Sequence, residues 1–218
     1  MNNESDRLEH SCREKCSQEI QFLDKFRVEC DTHKNIYVIG LQERSVTLYN
    51  QQLRALNLIY CLYQQQKFDQ LENNSIAIIG GGFSGMTAAT AAAVLGVKVD
   101  LFEQRPVLCH LQGSCETRWV HPHIYDWPQP GSDKPYSVLP LLPWRAGKAS
   151  SIIDKVVNKF LKNFVEFDKE EKSNITLYLG ASAKLIEIKN QLQVFWDNAI
   201  IPNNANRKSP DSRSGHDD

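Results

Sequence analysis

Residues 76–85 read Ile-Ala-Ile-Ile-Gly-Gly-Gly-Phe-Ser-Gly, an apolar run that ends abruptly in glycine. Such a run, preceded by the turn cluster Asn-Asn-Ser at 73–75, is typical of a parallel strand buried on both faces. The alanine-rich stretch 84–95 predicts a helix, and 97–102, Val-Lys-Val-Asp-Leu-Phe, predicts a second strand that Glu103 closes. The order strand, helix, strand predicts a βαβ unit with parallel strands.

The glycines of this unit have the spacing G-x-G-x-x-G. Gly80 makes the tight turn, Gly82 lets the backbone approach a pyrophosphate, and Gly85 allows close packing of the helix on the strand. The phosphates are then expected at the free N–H groups and the positive dipole end of the helix. The alternative is a glycine turn that holds no ligand.

An acidic residue follows at the distance that a dinucleotide site requires. Glu103 lies 18 positions beyond Gly85, at the end of the second predicted strand. A carboxylate there can accept hydrogen bonds from the 2′- and 3′-hydroxyls of an adenosine ribose, and it repels a 2′-phosphate. The spacing therefore favours a dinucleotide without a 2′-phosphate over NADP.

These residues resemble a known family. Residues 76–103 are similar to the N-terminal dinucleotide-binding unit of FAD-dependent oxidoreductases of the two-dinucleotide-fold group, and the similarity extends to Gln104 and Arg105. A wider stretch, 47–148, resembles a bacterial subgroup of FAD/NAD(P)-binding proteins with no known substrate. The resemblance implies FAD as cofactor, NAD(H) as a candidate electron donor and an unidentified small-molecule substrate.

The resemblance also implies roles for individual residues. Glu103 would bind the ribose, and Gln104 and Arg105 would lie beside the adenine. Pyrophosphate contacts would come from Gly80, Gly82, Phe83, Ser84 and Gly85.

The resemblance ends early. Enzymes of this group continue to a second glycine-containing segment and a substrate domain, and neither follows Trp196. We therefore expect a truncated relative. Three alternatives stay open: a non-catalytic or incomplete dinucleotide-binding or sensing module, a site completed by a second chain, and an NAD site of a small dehydrogenase, for which no Tyr-x-x-x-Lys dyad is evident.

The fold class predicted from these patterns is α/β, a Rossmann-type parallel sheet with a long insertion, a C-terminal β-hairpin and a helical N-terminal appendage. Further elements are a helix at 151–164, a strand at 175–179 and a hairpin at 184–196. Four regions are predicted along the chain. Residues 1–34 form a polar helical lead-in, and residues 35–72 form an appendage with a strand at 36–40 and a helix at 46–66. Residues 73–201 form a Rossmann-like FAD/NAD(P)-binding domain, whose insertion at 106–147 is rich in proline and aromatic residues, and residues 202–218 form a disordered tail.

Two groups outside the glycine-rich segment could carry chemistry. His121, His123 and Asp126 lie close together in the insertion and are the candidate catalytic residues, since histidine moves protons near neutral pH. The alternative is a loop held by proline and aromatic packing. His121 and His123 are too few ligands for a metal. The lead-in contains four residues of the types that bind zinc: Cys12, Cys16, Cys30 and His33. The two interpretations are a zinc site and a plain helix with reduced thiols.

Composition limits the classes of partner. The 218 residues contain 25 basic and 26 acidic side chains, for a net charge of −1, so the field that attracts nucleic acids is missing. The N-terminus has no signal-peptide pattern, and polar residues interrupt every long apolar run, which argues against a membrane partner. Six cysteines are too few for a disulfide scaffold. We expect reduced thiols and a cytoplasmic location.

Overall fold

The structure is a computed structural model. It describes residues 15, 17–28, 35–40, 46–68, 74–113, 115–165, 173–188 and 191–197. In chain order its elements are helix α1 (17–26), helix α2 (Leu48–Gln64), strand β1 (Ser75–Ile79), helix α3 (Phe83–Val94), strand β2 (Lys98–Glu103), short helix α4 (His110–Gly113), strands β3 (Trp119–Val120) and β4 (Gly147–Lys148), helix α5 (Ala149–Phe160) with a π-helical turn (Leu161–Val165), and strands β5 (Ile175–Leu179), β6 (Ser182–Ile188) and β7 (Gln191–Asp197).

The central sheet has three parallel strands in the order β1-β2-β5. Ile79 pairs with Phe102, and Glu103 pairs with Leu179, so the carboxyl ends of all three strands lie at one edge. Ligands of open parallel sheets bind beyond that edge. The predicted βαβ unit and the Rossmann-type α/β fold are confirmed.

Helix α3 lies in the centre of the hydrophobic core. Its alanines at 88, 89 and 92 are at most 2% exposed, and Met86 is fully buried. Small side chains allow α3 to approach the sheet closely on one side and helix α2 on the other. Helix α2 contributes its own buried side chains, Ala55, Leu58 and Ile59. The glycine-rich segment therefore opens a helix that is held from two sides.

A second cluster covers the opposite face of the sheet. The Phe102 and Tyr178 rings stack with centroids 4.6 Å apart, and the Trp196 ring lies 5.1 Å from each of them. Because side chains alternate along a strand, Phe102 faces the β6-β7 hairpin while its neighbour Leu101 faces the main core. The predicted antiparallel hairpin is confirmed, with Ile188 paired to Gln191.

The sequence is partly wrong about the segment before α2. It predicts a strand at 36–40, but in the described part of this region the pairing is an isolated antiparallel bridge between Tyr37 and Arg27. Val28 N–H donates to Ile36 O at 2.9 Å, and Val38 N–H donates to Phe26 O at 2.7 Å. The partner segment is the end of α1, which supplies too little extended backbone for a ladder.

The other predicted boundaries agree with the structure within a few residues. The helix predicted at 46–66 is α2, and the one predicted at 151–164 begins at Ala149 and ends in the π-helical turn. Most of the polar lead-in and the whole stretch 202–218 lie outside the described residues. Within the described ranges, the helices are too short or too polar to span a membrane.

Candidate functional site

A turn formed by residues 80–85, here called the glycine turn, joins β1 to α3. Gly80 has φ +111°, a conformation that side chains rarely permit, and its N–H donates to Phe102 O at 2.7 Å. A Cβ built on Gly85 would lie 1.8 Å from Gly80 O, so the helix can approach the turn only with glycine there. The structure thus has the tight turn predicted at Gly80 and the close helix packing predicted at Gly85.

The central residue of the turn leaves space in front of the helix. Gly82 is the N-cap of α3, it makes no side-chain cap hydrogen bond, and a Cβ built on it would meet no atom within 4 Å. The first turn of a helix has backbone N–H groups without an intrahelical acceptor, and these bind anions. The side chain of Phe83 is 2% exposed, so this residue can offer a ligand only its backbone. Ser84 is half-buried next to it.

Glu103 lies beside the glycine turn at the end of β2. Its Oε2 accepts from the Gly81 N–H at 2.6 Å and its Oε1 accepts from the Arg105 N–H at 2.8 Å. The carboxylate therefore fixes both the turn and the start of the next loop. The side chains of Gln104 and Arg105 are exposed at the same end of the sheet.

Gly81 has a role that the G-x-G-x-x-G spacing does not indicate, because it occupies a variable position of that motif. A Cβ on Gly81 would lie 2.5 Å from Leu108 Cδ2 and 2.9 Å from Glu103 Cβ. Its carbonyl accepts from the Cys109 N–H at 3.1 Å, and the Cys109 Sγ lies 3.8 Å from the same oxygen. The start of the insertion (106–147) is thus bound directly to the glycine turn.

Cys109 itself is an unreactive thiol. It is 2% exposed and is free of any disulfide. Burial, together with the nearby charge of Glu103, raises the pKa of Cys109 to about 12. Since the thiolate is the nucleophile, a thiol with this pKa is poorly suited to redox or nucleophilic chemistry.

The structure brings the three candidate catalytic residues together within the insertion. His123 Nδ1 lies 2.9 Å from Asp126 Oδ2, its Nε2 lies 3.1 Å from Tyr136 O, and the His123 N–H donates to His121 Nδ1 at 3.2 Å. A neutral imidazole can donate to only one of the two oxygens, whereas an imidazolium donates to both. The centroid of the His123 ring also lies 5.1 Å from the centroid of the Tyr49 ring in α2. This arrangement holds the loop together whether or not it takes part in catalysis.

The residues for which zinc is weighed against a plain helix all lie outside the described residues: Cys12, Cys16, Cys30 and His33. Across the part of the chain that the structure covers, His, Cys, Asp and Glu form no group of three or more suited to a metal ion.

Comparison with known proteins adds the family. The model of the family described as FAD dependent oxidoreductase matches residues 75–188, just over half of the chain. The match begins at the first residue of β1 and ends at the last residue of β6, so it includes the glycine turn, Glu103 and the insertion. No curated protein and no solved structure matches the chain. The chain belongs to the family of FAD-dependent oxidoreductases, whose cofactor is FAD.

Proposed function

We propose that the β1-α3-β2 unit binds the ADP half of FAD at the glycine turn. The pyrophosphate lies against the first turn of α3, where it accepts hydrogen bonds from backbone N–H groups. Glu103 accepts from the ribose hydroxyls, and Gln104 and Arg105 lie beside the adenine. The pyrophosphate contacts proposed are Gly80, Gly82, Phe83, Ser84 and Gly85, of which Gly80 contributes close backbone approach, because its N–H donates to Phe102 O.

The observation that carries this proposal is the open space at Gly82. Its neighbours Gly81 and Gly85 each face atoms that a Cβ would strike, whereas a Cβ on Gly82 would meet none. Packing within the chain therefore accounts for glycine at 81 and 85 but not at 82. Close approach of a ligand to the backbone explains glycine at that position.

Glu103 is suited to the ribose because its position is fixed. Each carboxylate oxygen already accepts one backbone hydrogen bond and keeps a second lone pair. These free lone pairs can accept from the two ribose hydroxyls, whereas a 2′-phosphate would meet a negative charge. The site should therefore prefer FAD or NAD over NADP.

When bound, the flavin supplies the hydride or electron transfer. The residues of the glycine turn and Glu103 bind and orient its ADP half, and the substrate proposed is a small molecule of unidentified structure. The unit that folds around FAD is proposed to extend from residue 73 to 201, with the insertion as part of it. A reducing, cytoplasmic location fits the free thiols of Cys61, Cys109 and Cys115.

Ligand titration tests this proposal. The chain is titrated separately with FAD, ADP, FMN, NAD⁺ and NADP⁺, and binding is measured by flavin fluorescence and calorimetry. We expect FAD to bind, ADP to compete with it, and FMN, which lacks the ADP half, to bind much more weakly. A chain that binds FMN as tightly as FAD would contradict the assignment, and one that binds neither would refute FAD binding by this unit. Bleaching of bound flavin by NADH would identify the electron donor.

A further inference from the structure

Helix α2 carries a buried glutamine that joins three parts of the fold. Gln52 is fully buried. Its Nε2 donates to Thr87 Oγ1 of α3 at 3.2 Å and to Leu142 O of the insertion at 3.3 Å. Its Oε1 accepts from Trp144 Nε1 at 2.7 Å. A polar residue on the buried face of an amphipathic helix is unfavourable unless its groups are paired, and here they are.

The same group of residues reaches the start of α3. The Trp144 ring meets the Phe83 ring edge-on, with centroids 6.5 Å apart. Phe83 is the first residue of α3 and directly follows Gly82, and Thr87 lies one helical turn further along the same face. Trp144 therefore contacts the first residue of α3, and Gln52 contacts the same face of α3 one turn later.

Trp144 is in turn held in place by its own loop. The backbone N–H of Trp144 donates to Ser137 Oγ at 3.0 Å, and the backbone N–H of Ser137 donates to Trp144 O at 3.0 Å. Ser137 is fully buried. Trp144 is consequently held by two hydrogen bonds of its backbone to Ser137, one hydrogen bond of its indole N–H to Gln52 and one ring contact with Phe83.

We propose that Gln52 and Trp144 are positioning residues for the cofactor: they fix the first turn of α3, and through it the direction of the backbone N–H groups that meet the pyrophosphate. This inference rests on the proposed function. Its physical basis is that buried hydrogen bonds are strong in a low dielectric, and that loss of one partner leaves the others unpaired. Small displacements of groups that orient a ligand have large effects on binding and reactivity.

Two substitutions test the role, with a third as control. Trp144→Phe keeps an aromatic ring against Phe83 but removes the indole N–H, and Gln52→Met keeps the length of the side chain but removes its polar atoms. Leu62→Ala is the matched control, because Leu62 is 8% exposed on the same helix, ten residues and about 15 Å from Gln52 along the axis. All variants are compared at a temperature at which each is folded.

Two measurements are made on each variant: the Kd for FAD, and hydrogen exchange at the amides of residues 86–90 in the ligand-free chain. We expect Trp144→Phe and Gln52→Met each to weaken FAD binding by about fivefold or more and to speed exchange at 86–90 by a similar factor. Leu62→Ala should lower the unfolding temperature without either change. The double variant Gln52→Met/Trp144→Phe should lose less than the two single losses combined, because it removes both members of one hydrogen bond.

The outcomes separate this inference from the proposed function. Equal effects of Trp144→Phe and Leu62→Ala on both measurements, at equal loss of stability, would overturn the positioning role. Unchanged exchange and unchanged FAD binding in Trp144→Phe would do the same. If the unaltered chain does not bind FAD but Trp144→Phe alone speeds exchange at 86–90, the proposed function fails while the control of the helix start by Trp144 stands.

Discussion

Alanine in place of Gly82 should separate cofactor binding from folding. Gly82 has φ −80° and ψ −172°, an extended conformation that alanine adopts freely, and among the described residues other than its two chain neighbours the added methyl group would meet no atom within 4 Å. In the ligand-free chain the substitution therefore introduces no clash. In the proposed complex the same methyl group occupies the space between the backbone and the pyrophosphate.

The two effects differ enough in size to be distinguished. Replacing glycine by alanine in a compatible conformation stabilises a protein by about 0.4–1 kcal/mol, because the unfolded chain loses freedom. Alanine is a poorer N-cap than glycine by up to about 1 kcal/mol, which offsets that gain. The unfolding free energy should thus change by less than about 1 kcal/mol. Loss of one or two charged hydrogen bonds, at about 1.5–3 kcal/mol each, predicts FAD binding that is weaker by about tenfold to a hundredfold or more.

The assay is a fluorescence titration with FAD, paired with thermal unfolding of the ligand-free variant. Gly85→Ala is the contrasting substitution, because its Cβ would lie 1.8 Å from Gly80 O and must force the helix away from the turn. That variant should be destabilised by about 3 kcal/mol or more, even without FAD. A Gly82→Ala chain that binds FAD as tightly as the unaltered chain would refute a pyrophosphate at the glycine turn.

Three further predictions concern the surroundings of the turn. Glu103→Gln should lower the unfolding free energy by about 1 kcal/mol and weaken FAD binding, because an amide cannot accept from both the Gly81 and Arg105 N–H groups; unchanged calorimetric titration and melting curves would contradict this. Gly81→Ala should destabilise the ligand-free chain by about 1–3 kcal/mol in urea unfolding, and Leu108→Ala in the same chain should recover part of the loss; additive losses would count against the clash. The pKa of Cys109 is about 12 in the folded chain, so the folded chain keeps the thiol proton at pH values where the unfolded chain has released it, from about pH 9 upward. The free energy of unfolding therefore falls by about 1.4 kcal/mol per pH unit between about pH 9 and pH 11. In urea unfolding over that pH range, the unfolding free energy of Cys109→Ala should lack this decrease. An equal pH dependence of the unfolding free energy in both chains would disprove the prediction.

The sequence was sufficient to predict the β1-α3-β2 unit, because every signal there is local. An apolar run, a glycine turn, an alanine-rich helix and a second strand follow one another within about thirty residues, and each depends on neighbours in the chain. The parallel pairing of β1 with β2 then follows from the connection, since a helix between two strands brings the second beside the first in the same direction. The position of Glu103 beside the turn follows from that pairing.

The contacts that hold the unit in place could not be predicted in this way, because their partners are remote in sequence. Gln52 forms hydrogen bonds with three residues that lie 35, 90 and 92 positions further along the chain. Helical periodicity predicts that one face of α2 is buried, but it does not show which distant polar groups meet that face. The same is true of Gly81, which a motif treats as variable and which is restricted by Leu108, 27 residues later. The strand predicted at 36–40 is wrong for a related reason, since pairing also depends on how much extended partner is present.

The long insertion is best understood from its attachment points. Near its start, Cys109 bonds to Gly81; near its end, Leu142 and Trp144 bond to Gln52, and the Trp144 ring meets Phe83. The two ends are therefore attached to Gly81 and Phe83 of the glycine turn, and the side chains of Cys109, Leu142 and Trp144 are buried. A loop that merely crossed the surface would leave the turn supported by β1 and β2 alone. Because buried residues at both ends of the insertion instead pack against the turn, we expect substitutions at these ends to perturb the turn more than the sheet.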